Sequence, residues 1–219
     1  MHTLIPFTLT FALTVWLSAF LIKVGPDWLL DLPEERKIHD RPVSRTGGLT
    51  ICIIFFLSTI IFDLHNQLWW YLLGGVILFV LGVLDDWKSI RWPIKLVVQL
   101  IVSFIIIFRF FEMIESVSFF NRTLNFSTIG LIAVFLIWFV GILNAVNLID
   151  GMDGLAGGFM VLITVFAVII GIFNEANFFL ILNASLLGGL TGFLFFNRRP
   201  ARYFMGDSGS LLLGYHVAC

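Results

Sequence analysis

Residues 129–158 read IGLIAVFLIWFVGILNAVNLIDGMDGLAGG, and nothing in them is charged before Asp150. The part from 129 to 146 alone is long enough to cross a bilayer, since about 20 apolar residues rising ~1.5 Å each span the hydrocarbon core. Asn147, Asp150 and Asp153 then follow at three-residue intervals, with Gly151 and Gly154 between and after them. On a helix that spacing fans polar groups over about a third of the circumference. A span ending in a polar cluster sets the expectation for the whole chain: membrane helices with chemistry at their ends.

Working outward, apolar runs recur at about 3–24, 47–62, 68–84, 93–111, 129–146, 155–173 and 178–196, and an eighth begins at 210. Backbone groups facing lipid must be satisfied within their own segment, which makes helix the reading for each run. Membrane β-strands would be short and alternating, and these runs do not alternate. Composition agrees: 59% of the 219 residues are apolar and 12% are charged, against about 25% charged in a soluble domain. Mean hydropathy is +1.02, and 25 Phe with 7 Trp exceed what a soluble helical core would hold. The predicted fold is all-α, a polytopic transmembrane bundle of seven to eight spans forming one domain over 1–219. The N-terminal run is span-length and lacks a basic leader and cleavage site, so it reads as a retained first helix.

Charge placement orients the layout. Lys23, Arg36, Lys37, Arg41, Arg45, Lys88, Arg91, Lys95, Arg198, Arg199 and Arg202 fall on one side of the predicted spans, leaving Arg109 and Arg122 on the other. Eleven of the 13 basic residues on one side is the positive-inside pattern, which makes that side cytoplasmic and the N-terminus external. Trp69, Trp70 and Tyr71 would line the outer interface, with Trp87 and Trp92 at the inner one. A net charge of −1 and no basic tail give no reason to expect nucleic acid. Cys52 within an apolar run and Cys219 at the last position do not suggest a disulfide.

Three polar clusters fall on the predicted cytoplasmic side: Asp85-Asp86 after the third span, Asn147 to Gly154, and Asn197 to Ser210 with Asp207 in Gly-Asp-Ser-Gly-Ser. A single acid at a membrane edge is ordinarily a solvated helix end. Five carboxylates and an amide oxygen are different, because ionisable groups beside hydrocarbon are costly and mark function. They are hard oxygen ligands suited to Mg²⁺, with Mn²⁺ as the alternative ion. Arg198, Arg199 and Arg202 beside such a site suit phosphate, although positive-inside bias accounts for them equally well. The loop before the second span holds His39 among basic residues, then Arg45-Thr-Gly47-Gly48; its plain reading is a charged linker.

Four stretches together resemble the polyprenyl-phosphate N-acetylhexosamine-1-phosphate transferases (glycosyltransferase family 4). They are His39…Pro42…Arg45-Thr-Gly47-Gly48, Leu84-Asp85-Asp86, Asn144-Ala-Val-Asn147-Leu-Ile-Asp150-Gly-Met-Asp153-Gly154, and Pro200-Ala-Arg-Tyr-Phe204-Met-Gly206-Asp207-Ser-Gly-Ser210. Their order matches and they cover almost the whole chain. The wording is most like the undecaprenyl-phosphate N-acetylglucosamine-1-phosphate transferase branch, which starts cell-envelope polysaccharides such as O-antigen or teichoic acid linkage units. The resemblance implies a Mg²⁺-dependent transfer of sugar 1-phosphate from a UDP-N-acetylhexosamine to undecaprenyl phosphate, releasing UMP. It implies Asp207 and Asn147 on the metal, and Asp85, Asp86, Asp150 and Asp153 as catalytic acids, one of the adjacent pair acting as base. Substrate binding falls to His39, Arg45, Gly151, Met152, Asn197, Arg202 and Phe204, the last stacking on uracil. The expected setting is the bacterial inner membrane with the site on the cytoplasmic face, and a homodimer is also considered.

The family continues to about ten or eleven spans and a later His-rich loop, so the chain reads as C-terminally incomplete, and an inactive truncated member is one alternative. A transferase for UDP-N-acetylmuramoyl-pentapeptide is another. Two rivals lie outside the family. An intramembrane prenyltransferase would want a second Asp motif like Asn147-x-x-Asp150. A cation transporter would want its acids near the bilayer midplane.

Overall fold

The computed structural model describes residues 3–24, 30–31, 42–110, 117–119, 122–124 and 128–219. They form eight helices: α1 (Leu4–Val24), α2 (Gly47–Ile61), α3 (His65–Lys88), α4 (Trp92–Phe110), α5 (Thr128–Ile149), α6 (Leu155–Phe173), α7 (Asn177–Asn197) and α8 (Gly206–Ala218). Two short antiparallel hairpins join them, β1 (Leu30–Asp31) with β2 (Val43–Ser44) and β3 (Val117–Phe119) with β4 (Arg122–Leu124). The chain is an all-α polytopic bundle. Six helices, α1 and α3 to α7, are long and apolar enough to cross a membrane.

The outer helices α1 and α3 to α6 turn most of their surface outward, and that surface is apolar, as lipid requires. In α1 the rule for soluble helices is inverted: Pro6, Thr10, Thr14 and Ser18 are buried while Leu4, Phe11, Trp16 and Phe20 are exposed. With no hydrophobic drive between helices in lipid, small residues win the interface because they let backbones approach. Here α1 lies against Gly188 and Gly192 of α7.

The centre of the bundle is α8, in which every residue from Ser208 to Tyr215 is buried. It packs on α2, α3 and α5. Its first turn meets α2 so closely that a Cβ on Gly209 would lie 2.7 Å from Gly48 Cα. This accounts for the Gly47-Gly48 pair at the start of α2. Further along α8, Tyr71 Oη lies 2.7 Å from His216 Nδ1, and His216 Nε2 lies 3.0 Å from Asn183 Oδ1, joining α3, α8 and α7 through a polar chain.

The structure places the acids more closely than the sequence does. Asp85 and Asp86 lie inside the last turn of α3, which ends only where Ser89 takes a left-handed conformation and donates to the Asp85 carbonyl. Asp207 lies in the first turn of α8. Asp150 and Asp153 do not continue the helix that carries Asn147, because α5 stops at Ile149 and Gly154 (φ +72°) opens α6.

Candidate active site

The site is assembled at one end of the bundle, where the last turns of α3 and α5 meet the first turns of α4 and α8. Lys95, in the first turn of α4, bridges two carboxylates from different helices: its Nζ is 2.7 Å from Asp85 Oδ2 and 2.9 Å from Asp207 Oδ2. Asp85 Oδ1 also accepts the Ile90 N–H at 2.6 Å. Asp86 is one residue on, so its side chain points about 100° round the helix. There its two oxygens accept the backbone N–H groups of Asp207 (2.9 Å) and Ser208 (3.0 Å). Asn147, on α5, donates to Ser210 Oγ of α8 at 2.8 Å.

Two loops frame this centre. Asp150, between α5 and α6, has its carboxyl pushed up to about 8, first by burial and then by the negative charges of Asp207 and Asp86, with the Gly206 N–H and Arg45 opposing. Arg45 itself forms an ion pair with Asp31 at 2.6 Å, tying the end of β2 back to β1. Asp153 accepts the Ala201 N–H at 3.1 Å. Asn197, almost fully buried, accepts the Gly154 N–H at 3.0 Å and donates to the Tyr203 carbonyl at 2.7 Å. Both ends of its amide therefore join the two loops through backbone.

The loop before α8 is held as an added strand. Phe204 N–H donates to the Ser44 carbonyl at 2.8 Å, and its own carbonyl accepts the Gly47 N–H at 2.9 Å. Tyr203, fully buried, donates its hydroxyl hydrogen to the Thr46 carbonyl at 2.8 Å. The Phe204 side chain is half-buried, and Gly151, Met152 and Arg202 are exposed. A groove of about 600 Å³ opens beside Met152 and Asp153, floored by Leu194 and Phe195 and edged by Arg198 and Arg199.

The structure thus brings together Asp85, Asp86, Asn147, Asp150 and Asp207, with Asp153 and Phe204 on the adjoining loops and Asn197 at the end of α7. His39 lies outside the described residues. Sequence reasoning missed Lys95 and Tyr203. Lys95 was one of eleven cations that membrane topology already explained, and only contact with two acids singles it out. Tyr203 sits beside Phe204 in the motif, but its partner is 157 residues away.

Among the described residues no three His, Cys, Asp or Glu side chains converge tightly enough to enclose a metal. Mg²⁺ does not require that: it is ordinarily held by one or two carboxylates with waters and substrate phosphates completing its octahedron. Asp85 and Asp207 already share one cation, the Lys95 ammonium, and Asp150 beside them is disfavoured as an anion. This donor set fits a divalent ion.

Comparison with known proteins gives the chain's relatives. A family model described as Glycosyl transferase family 4 matches residues 68–219. The chain is 34% identical over 200 residues to a probable undecaprenyl-phosphate N-acetylglucosaminyl 1-phosphate transferase of Bacillus subtilis, covering 90% of this chain and 55% of that protein. It is 36% identical over 210 residues to the undecaprenyl-phosphate alpha-N-acetylglucosaminyl 1-phosphate transferase of Thermotoga maritima, covering 96% and 61%. A phospho-N-acetylmuramoyl-pentapeptide-transferase of Caldanaerobacter subterraneus is 35% identical over 185 residues, covering 78% and 58%. The chain spans 55–61% of the length of these three relatives.

Proposed function

The chain belongs to glycosyl transferase family 4, and from that premise we propose that it transfers N-acetylglucosamine 1-phosphate from UDP-N-acetylglucosamine to undecaprenyl phosphate, releasing UMP. The observation that carries this reading is the meeting of Asp85 and Asp207 on one shared cation, 122 positions apart in sequence, at the end of a membrane bundle. A lipid phosphate and a water-soluble nucleotide can both reach that position.

Asp207, Asp85 and Asn147 are the residues that would hold Mg²⁺. The chemistry such an ion would supply is neutralisation of the diphosphate and of charge on the departing UMP. Asp85 accepts a proton from the lipid phosphate monoester. A phosphate oxygen of the lipid attacks the sugar-bearing phosphorus, a new P–O bond forms, and the bond to the UMP oxygen breaks. Lys95 is within reach of phosphate oxygens once it leaves one carboxylate. Arg202 adds a guanidinium at the loop edge. Phe204 offers a ring for the uracil, with Gly151, Met152 and Asp153 alongside, while Arg45 and Asn197 steady the loops. The active face is cytoplasmic, where UDP-sugars are found and where the basic residues gather, and the setting is the bacterial plasma membrane. The product would begin a cell-envelope polysaccharide. The 35% match to a pentapeptide transferase favours one second reading, in which the donor is UDP-N-acetylmuramoyl-pentapeptide.

The test is an assay of the whole protein offered either donor with undecaprenyl phosphate and Mg²⁺, reading UMP and lipid-linked product. Asp207→Asn should remove UMP release while leaving the protein folded in detergent. Undiminished turnover at saturating Mg²⁺ would refute the role of Asp207, and turnover of the pentapeptide donor alone would select the second reading.

A further inference from the structure

The two members of the Asp85-Asp86 pair are committed differently. Asp85 faces the side-chain ammonium of Lys95, whereas both oxygens of Asp86 are taken by the N–H groups of Asp207 and Ser208. Those amides belong to the first turn of α8, whose N–H groups have no partner within the helix. The residue at the N-cap of α8, Met205, supplies no side-chain cap. Asp86 does so from another helix, and its charge sits favourably at the positive end of the α8 dipole.

The neighbouring backbone is shaped around this contact. Gly206 has φ +74°, and a Cβ there would lie 2.8 Å from each Asp86 oxygen. Gly82, one turn earlier on the same face of α3, lies so close that a Cβ would strike the backbone of Asp207 and Ser208. The Gly82–Asp86 face of α3 is therefore a seat for the first turn of α8.

We propose that Asp86 is a positioning residue, which fixes Asp207 opposite Asp85 by capping α8 and handles no proton of its own. This deepens the proposed function, because it rests on Asp85 and Asp207 being the cation-holding pair.

The experiment compares the whole wild-type protein with Asp86→Asn and Asp86→Glu by three readouts. These are hydrogen exchange of the peptide containing Asp207 and Ser208, Mn²⁺ affinity by electron paramagnetic resonance, and the pH profile of turnover. Asn keeps one acceptor oxygen but loses charge; Glu keeps charge but moves the carboxylate by one methylene. Both should speed exchange at the first turn of α8 by roughly 2- to 30-fold, the range for weakening a helix cap. Both should also weaken Mn²⁺ binding by about tenfold, with turnover partly recovered at raised Mn²⁺ and the pH profile keeping its shape. Unchanged exchange in both variants would overturn the proposal. So would loss of the acid limb of the pH profile with Mn²⁺ affinity intact, since that marks a base. Should Asp86→Asn not fold, Asp86→Glu alone decides by the same readouts. Asp207→Asn is the control that separates the two readings: Mn²⁺ binding that survives it sinks the cation-pair assignment and leaves the cap standing.

Discussion

Lys95 and Asp207 are 112 residues apart in sequence, yet the ammonium of one lies 2.9 Å from the carboxylate of the other. The same nitrogen serves Asp85, so one positive charge stands between two negative ones, at the place proposed for a divalent ion. Lys95→Met should therefore leave two partly buried carboxylates facing each other without compensation. In EDTA the variant should lose roughly 1–3 kcal/mol, less than fully buried pairs because about a quarter of Lys95 and of Asp207 stays exposed. Millimolar Mg²⁺ should return most of the loss. Thermal melting with and without Mg²⁺ reads this, and a variant insensitive to Mg²⁺ would contradict it.

Gly48 and Gly158 are both helical glycines near the site and should respond oppositely to alanine. A Cβ on Gly48 would run into the Gly209 backbone and lie 2.6 Å from the Met205 carbonyl oxygen, so α2 and α8 would have to separate. Gly158 has nothing within 4 Å of that position. Gly48→Ala should lower the melting temperature in detergent and weaken nucleotide binding. Gly158→Ala should be neutral or stabilising by up to ~1 kcal/mol, from helix propensity. Equal effects would mean the α2–α8 contact is looser than described.

Phe204→Leu separates a stacking ring from a packing one. Base–aromatic stacking is worth about 1–3 kcal/mol, and at ~1.4 kcal/mol per decade its loss should weaken UDP binding roughly 5- to 150-fold. Undecaprenyl phosphate affinity should hardly move. Titrating both ligands against the folded variant checks it, and unaltered UDP affinity would remove the uracil assignment.

Asp150 gives a pH signature in the absence of divalent ions. Its carboxyl is pushed up to about 8 in the folded protein, against ~3.9 in an unfolded chain. Between those values the folded state binds more protons than the unfolded one, so stability is greatest below about pH 4 and falls as pH rises toward 8. Asp150→Asn should flatten that slope. Melting curves in EDTA from pH 5 to 8 test it, and identical slopes would exclude Asp150 as the cause.

The helices were legible because lipid imposes one demand on every residue of a span, and run length reports it. Runs at 155–173 and 178–196 correspond to Leu155–Phe173 and Asn177–Asn197. Helix ends were less legible: Asp85 and Asp86 looked as though they followed a span, because charge ends an apolar run before it ends a helix. The polar clusters were visible as exceptions to the apolar background, and the structure gathers them at one end of the bundle. What could not be read was which partner each one takes. Asp85 and Asp86 are alike in sequence; 100° of helical rotation sends one to a lysine and the other to a backbone. Asn197 carried no sign that both ends of its amide would be spent on loops.

The bonds from Tyr203 to Thr46 and from Phe204 to Ser44 and Gly47 join the entrance of the second helix to that of the eighth. They impose a schedule on biogenesis. A chain emerging from the ribosome exposes Asp85, Asp86 and Asp150 long before Asp207 and Ser208 exist to meet them. Until the eighth helix forms, Asp86 lacks the two backbone amides whose hydrogen bonds it accepts, whereas Asp85 already has the Ile90 N–H and Lys95 within reach. A ribosome halted before codon 203 would leave the earlier helices without the loop and turn that draw their acids together.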